Sequence, residues 1–197
     1  QVSGRVETDP FGRTVRQYDP FTESITTQSG DFSINAGSAL ASETEYDILD
    51  RTVTVRQPLN TVTSMLYDVR NDRYGRRRFF TRTTDPNGHA TDQYSDHDGR
   101  EVQVTDADGG ITYMTYDALG QLRSSTDPDG YETTYEYDRL GRMTEREHPD
   151  AGVTQYTYDL AGNIIHESNL LGDIFYDYRY NRLAKKRYSA MAENDVE

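Results

Sequence analysis

Residues 116–162 read YDALGQLRSSTDPDGYETTYEYDRLGRMTEREHPDAGVTQYTYDLAG. Tyr116-Asp117, Tyr137-Asp138 and Tyr158-Asp159 fall 21 residues apart, and each pair is followed at the same offset by a glycine, Gly120, Gly141 and Gly162. Each pair is preceded by a Pro/Asp/Gly turn: DADG at 106–109, DPDG at 127–130 and HPDAG at 148–152. Self-similarity at a fixed period means one supersecondary unit used many times. The unit is legible in GYETTYEYD, where Tyr131, Thr133, Tyr135 and Tyr137 share one parity and Glu132, Thr134, Glu136 and Asp138 the other. Strict alternation predicts a half-buried strand with its tyrosine face covered. DRLG at 138–141 is a tight turn with glycine at the positive-φ corner, RMTEREH is the return strand, and HPDAG reverses the chain again.

The beat extends outward from this segment. Tyr94 and Gly99 head a slightly longer turn, YSDHDG, and DPNG at 85–88 opens that repeat. Tyr67-Asp68 starts another whose turn carries an insertion, VRNDRYGRRR at 69–78. Tyr46-Asp47 lies one period earlier, with Asp50 in place of glycine. Asp tolerates left-handed φ better than most residues, so the turn survives. NLLGD at 169–173 and YRYNRLAKK at 178–186 are worn C-terminal copies, and DPFGRTVRQYDP at 9–20 is a worn N-terminal one. The organisation predicted is degenerate repeats or irregular strands over 1–45, a hairpin array over 46–186 and a poorly ordered tail over 187–197. No window shows helical periodicity.

Composition fits an all-β chain with an unusual interior. Only 34% of the 197 residues are apolar, yet there are 16 tyrosines, so a tyrosine core is expected. The net charge of −13 disfavours binding to nucleic-acid phosphates. There is no cysteine, hence no disulfide framework and no thiolate metal site. No apolar stretch approaches a bilayer span, and the first residues show no secretion signal; lacking an initiator Met, the chain reads as cut from something longer.

The motifs YDALGQLRSSTDPDG, YDRLGRMTEREHPDAG and YDLAGNI resemble RHS (YD) repeats, the family of bacterial Rhs polymorphic toxins, the B and C components of insecticidal toxin complexes, and animal teneurins. The match is good over 46–186 and poor over 1–45, and looks most like toxin-complex-B-like Rhs proteins. The resemblance implies hairpins pairing side by side into a curved, coiled antiparallel sheet that winds into a hollow shell, of which this chain would be an arc. In bacterial members the shell encloses a toxin or unfolded cargo; in teneurins it is an adhesion scaffold. It also implies a large secreted or cell-surface parent. The family's C-terminal core, with its aspartate autoprotease, has no counterpart in these residues.

Each candidate for chemistry has a plainer structural use. Tyr116, Tyr137 and Tyr158, with Tyr135 and Tyr156, would stack from hairpin to hairpin, against the rival of an aromatic platform for sugar or peptide; Tyr46, Tyr67 and Tyr94 are the matching repeat positions further out. Asp47, Asp68, Asp117, Asp138 and Asp159 would accept local N–H bonds at turn entries; catalysis would want two carboxylates converging in one cleft. Arg13, Arg100 and Arg142 would pair with carboxylates on the adjacent hairpin, a pattern broken at Gln121 and Asn163. DADG, DPDG and DHDG lack the spacing of a calcium loop, and His89, His97, His148 and His166 lack metal-ligand spacing. The basic insertion, with Arg70, Arg73, Arg76, Arg77 and Arg78, is a solvated hairpin tip or a contact for an acidic neighbour such as shell, cargo or anionic glycan. The chain is thus expected to be a non-catalytic wall module without cofactor or metal, with an adhesion or glycan-binding module as the alternative and a glycoside- or peptide-cleaving site a remote third. Its open sheet edges predict edge-to-edge self-association or disordered ends.

Overall fold

A computed structural model describes residues 5–20 and 40–190. Residues 1–4 and 21–39, within the span read from the sequence as degenerate repeats or irregular strands, and residues 191–197 of the expected tail lie outside these. The fold is all-β. Sixteen strands form one sheet whose strand order is the order of the sequence. The chain divides into two compact units, Gln1–Arg100 with Thr105–Asp108, and Glu101–Val104 with Gly109–Glu197.

The first unit carries β1 (Val6–Thr8), β2 (Thr14–Tyr18), β3 (Ala41–Tyr46), β4 (Thr52–Arg56), β5 (Val62–Asn71), β6 (Arg77–Thr84) and β7 (Ala90–Ser95). Then β8 (Glu101–Thr105) leads to β9 (Ile111–Tyr116), β10 (Leu122–Thr126), β11 (Glu132–Tyr137), β12 (Met143–His148), β13 (Gly152–Tyr158), β14 (Ile164–Asn169), β15 (Gly172–Arg179) and β16 (Arg182–Ala190). The hairpin read from GYETTYEYD and RMTEREH is β11–β12, antiparallel, with Tyr135 opposite Arg146 and Tyr137 opposite Met143. Residues 187–190, placed in the tail by the sequence, continue β16, where Arg187 pairs with Phe175 and Ser189 with Asp173.

One five-residue turn closes most hairpins, and its aspartate organises it. At 138–142 the Asp138 N–H donates to the Arg142 carbonyl at 2.9 Å and the Gly141 N–H to the Asp138 carbonyl at 3.0 Å. The Asp138 carboxylate reaches over the corner: Oδ1 accepts the N–H groups of Leu140 at 2.8 Å and Arg142 at 3.0 Å, and Oδ2 accepts Arg142 Nε at 2.7 Å. Asp9, Asp47, Asp72, Asp85, Asp96 and Asp159 repeat this set with their own i+4 partners. The fourth residue needs positive φ, 82° at Gly141 and 89° at Gly162, and Asp50 takes the same corner at 62°.

The expected tyrosine core is a finding of a different kind. Among the described residues the buried apolar side chains are Phe80, Val102 and Tyr113. The other strand tyrosines are half-buried or exposed, because within each unit a strand packs on its sequence neighbours and, among the described residues, no second layer covers either face. With so little buried apolar surface, register rests on turns and cross-strand pairs.

Two outcomes follow from the turn. Gly162→Val should cost about 1–2 kcal/mol in urea unfolding, the strain of a β-branched residue at left-handed φ, while Gly162→Asn should cost clearly less; equal losses would contradict this. The second concerns pH. The Asp138 carboxyl lies below the ordinary carboxylate range, held there by the Arg142 N–H against partial desolvation, and Asp159 by the Asn163 side-chain amide. At Asp72 and Asp96 desolvation pushes the carboxyl upward, but N–H and guanidinium bonds outweigh it and the net shift is again downward. A depressed folded-state value contributes stability that is complete above the unfolded value and disappears as pH falls through the folded one. The urea midpoint should therefore hold from about pH 7 to 5 and fall steeply below about pH 4. A flat profile into stronger acid would rule the turn carboxylates out as the source.

Candidate functional site

Tyrosine, turn aspartate and the arginine after the turn corner, which the sequence presents as three separate rows, meet where Arg13, Arg51 and Arg142 lie over Tyr46, Tyr67 and Tyr158. Tyr158, ending β13, donates its hydroxyl to the Met143 carbonyl at the start of β12, 2.6 Å away. Tyr67 does the same to Thr52 at 2.9 Å, Tyr116 to Glu101 at 2.8 Å and Tyr46 to Thr14 at 2.9 Å. Each acceptor is the residue just after a turn, so the tyrosine of one hairpin ties down the corner of the one before.

The arginine completes the junction. Arg142 pairs with Asp138 of its own turn at 2.6 Å, lies over the Tyr158 ring at 4.7 Å and donates to the Asp159 carbonyl of the next turn at 3.0 Å. Arg13 repeats this over Tyr46 at 4.9 Å and on the Asp47 carbonyl at 3.2 Å, and adds a 2.6 Å pair with Asp50. Arg51 lies over Tyr67 at 4.3 Å. The expected pairing with an adjacent-hairpin carboxylate holds at Arg13 but not at Arg142, whose neighbouring partners are a ring and a backbone oxygen. Arg100 binds Asp96 and Asp98 of its own turn. A planar guanidinium can stack and fork at once; an ammonium cannot.

Two residues assigned to the repeat by spacing serve otherwise. Asp68 is not a turn entry. It sits inside β5 opposite Phe80, with its carboxylate on the Val69 N–H and Arg70 Nε, and the turn carboxylate is Asp72, four residues on. The step is even, so side-chain alternation survives and Tyr67 keeps its bond to Thr52. At Tyr94, which packs edge-on against Phe80 at 5.1 Å, the turn carboxylate is Asp96 rather than the next residue, and Gly99 closes the corner. Asp47, Asp117, Asp138 and Asp159 enter their turns, and Gly120, Gly141 and Gly162 close them. Tyr137 ends β11 half-buried, and desolvation raises its hydroxyl pKa.

The basic insertion lengthens β5 and β6 instead of forming a loop. Asp72, buried at its head, takes both Arg76 and Arg78 at 3.1 Å. Arg73 and Arg76 flank the Tyr74 ring at 5.4 and 5.2 Å, and Tyr74 is 60% exposed. Arg77 is exposed beside the cross-strand pair Val69 and Phe79. Thus Arg78 is largely structural, while Arg73, Arg76 and Arg77 present a cationic, aromatic tip. The sequence could not separate these roles, because Asp68 and Asp72 are equally plausible turn entries until the strand pairing is known.

Other chemistry is locally committed. Asp96, His97 and Asp98 come within 4.8 Å of one another, but Arg100 already supplies the counter-charge. His148 accepts the N–H groups of Asp150 and Ala151, and His166 stacks on Phe175 at 4.6 Å while meeting Asp173. A shallow depression of 750 Å³ is lined by Asp117, Glu132, Glu136 and Asp138, two of which are the turn carboxylates already described.

If the junction is a unit, its members are coupled. Tyr158→Phe should cost about 1 kcal/mol, a lost hydroxyl bond. Arg142→Lys should cost about as much, and the double variant should fall short of the sum by at least ~0.5 kcal/mol. Strict additivity in urea unfolding would mean that ring and guanidinium act independently.

Residues 116–153 match the family model described as RHS Repeat. Comparison with curated proteins returns no match. The fold is that of solved toxin complexes: TcdB2-TccC3 with Cdc42, with TM-score 0.73 and 21% identity over 98% of this chain and 10% of that one, and TcdB2-TccC3 alone, with 0.73 and 22% over 98% and 11%. The Photorhabdus luminescens Tc holotoxin pore gives 0.70 and 22% over 97% and 10%. The chain therefore spans about a tenth of the length of these neighbours. Residues 116–153, at the centre of the 21-residue beat, thus carry the RHS repeat match, and the strands on either side continue the same pairing in sequence order.

Proposed function

We propose that this array is a wall segment of a β-shell that encloses a toxin or unfolded cargo, and that it performs no catalysis itself. The observation that carries this reading is the junction: through Tyr46, Tyr67, Tyr116 and Tyr158 one hairpin binds the corner of the one before it, so the repeat extends a sheet. The carboxylates that a hydrolase would need are held by turn N–H groups and arginines. The likeness in fold to toxin complexes supports a secreted or cell-surface parent, with the rest of its shell and an enclosed segment as partners.

A second reading, a surface that binds anionic glycans, has one observation in its favour, the exposed Tyr74 between Arg73 and Arg76. The two separate experimentally. In the gene product that contains this chain, limited proteolysis should leave an enclosed segment intact until the array is unfolded, and Gly141→Val with Gly162→Val should expose it at lower denaturant. Cleavage of that segment at the same rate with the array folded or unfolded would refute the wall. Micromolar binding to a glycan array, lost in Tyr74→Ala, would favour the second reading.

A further inference from the structure

The hairpin tips carry an apolar row that turn chemistry does not explain. Apart from the Asp96 turn, which carries Asp98, the turns opened by Asp9, Asp47, Asp72, Asp117 and Asp138 have Phe11, Leu49, Tyr74, Leu119 and Leu140 as their third residue, exposed by 82, 66, 60, 81 and 77%. At the next turn the leucine moves one place, to Leu160, and is 107% exposed. The D-x-x-G turns after return strands supply an internal control: there the same third position is Asn87, Asp108 or Asp129. Of the worn connections at those ends, Leu59 and Leu171 are exposed exceptions. Since identical corners are built with polar residues, the leucines are not needed to make the turn.

The second unit places three of them side by side. Leu119, Leu140 and Leu160 head the consecutive hairpins β9–β10, β11–β12 and β13–β14. Successive tips are two strands apart, roughly 9.5 Å, so the row repeats at a spacing that another copy of this chain reproduces. Charge is segregated along the same hairpins. At the tips Arg139 and Arg142 stand among Asp117, Asp138 and Asp159, two cations for three carboxylates, whereas Asp127, Asp129 and Asp150 stand exposed at the far ends, and among the described residues none of these last three has an ion-pair partner. Two copies meeting tip to tip would keep these acidic ends apart by far more than a Debye length of about 8–10 Å.

We propose that the row Leu119, Leu140, Leu160 is a docking seam for the same row of a second copy, related by a two-fold axis. Such an isologous contact sets Leu140 against Leu140 and Leu119 against Leu160. This stands apart from the wall reading, which concerns pairing within one sheet, and it differs from edge-to-edge pairing, which would use β1 or β16.

The chain has no cysteine, so cross-linking starts from a clean background. Under mild oxidation, Leu140→Cys should form a 140–140 disulfide dimer. Mixed Leu119→Cys and Leu160→Cys proteins should cross-link to each other and neither to itself. In sedimentation equilibrium the full chain should dimerise, and the triple variant Leu119→Asn, Leu140→Asn, Leu160→Asn should weaken the dimer about 100-fold or more. Asparagine is what the Asp85 turn carries at the place of Leu119 and Leu140, and Leu160 is fully exposed at a place that other turns fill with Arg73, His97 or Arg139, so the triple variant's circular dichroism and unfolding midpoint should be unchanged. A monomer at all concentrations overturns the proposal. So does a dimer that the triple variant leaves intact, or one cross-linked through Ser189→Cys on β16 and not through the tips. Flotation of the chain with phosphatidylcholine vesicles in place of dimerisation would assign the row to lipid and overturn it as well.

Discussion

The carboxylate of the turn aspartate is the constraint on which the rest of this structure depends. Most folds fix strand register by burying one face of a sheet, so that a slip of one residue exposes the whole apolar set. Here little apolar surface is fully buried, and that safeguard is weak. Register is set instead at the corners. One carboxylate takes two backbone N–H groups and the i+4 arginine, which fixes how many residues the turn contains and which pair opens the ladder. The downward pKa shifts along the row express the same fact: these groups are held in the charged form by the donors that shape the turn.

The arginine then converts a local device into a repeating one. Bound to its own aspartate, it cannot swing freely, so its outer face is presented to the tyrosine of the next hairpin. That tyrosine in turn bonds the carbonyl beyond the arginine. Hairpin n thus specifies the position of hairpin n+1 through polar and cation–π contacts in place of a buried apolar interior. This explains how a chain that is 34% apolar, with 16 tyrosines, can be ordered. A tyrosine offers a ring to stack and a hydroxyl to tether, whereas phenylalanine would offer the ring alone.

Much of this was legible beforehand, and the failures have physical causes. The beat of Tyr116, Tyr137 and Tyr158 announces the hairpins because period-2 alternation and turn glycines are local features. Spacing assigns Asp68 to a turn, and the turn belongs to Asp72: both aspartates follow Tyr67 at odd offsets, and only the pairing of Val69 with Phe79 shows that the strands run on. The expectation of a tyrosine core assumed a covering layer, which composition cannot reveal. The partners of Arg142 were misplaced because its carboxylate lies four residues away in its own turn, and its ring lies on a strand whose register the sequence leaves open.

By itself, then, the sequence determined the repeat: strand, aspartate corner, return strand and polar turn, since each depends on contacts between residues a few positions apart. Only the tertiary structure decided what joins one repeat to the next, which arginines are consumed internally and which side chains remain at the tips. Those are questions of distance between residues some fifteen or more positions apart, such as Tyr158 and Met143 or Arg13 and Tyr46. No local propensity fixes such distances; they follow from the register that the turn carboxylates impose.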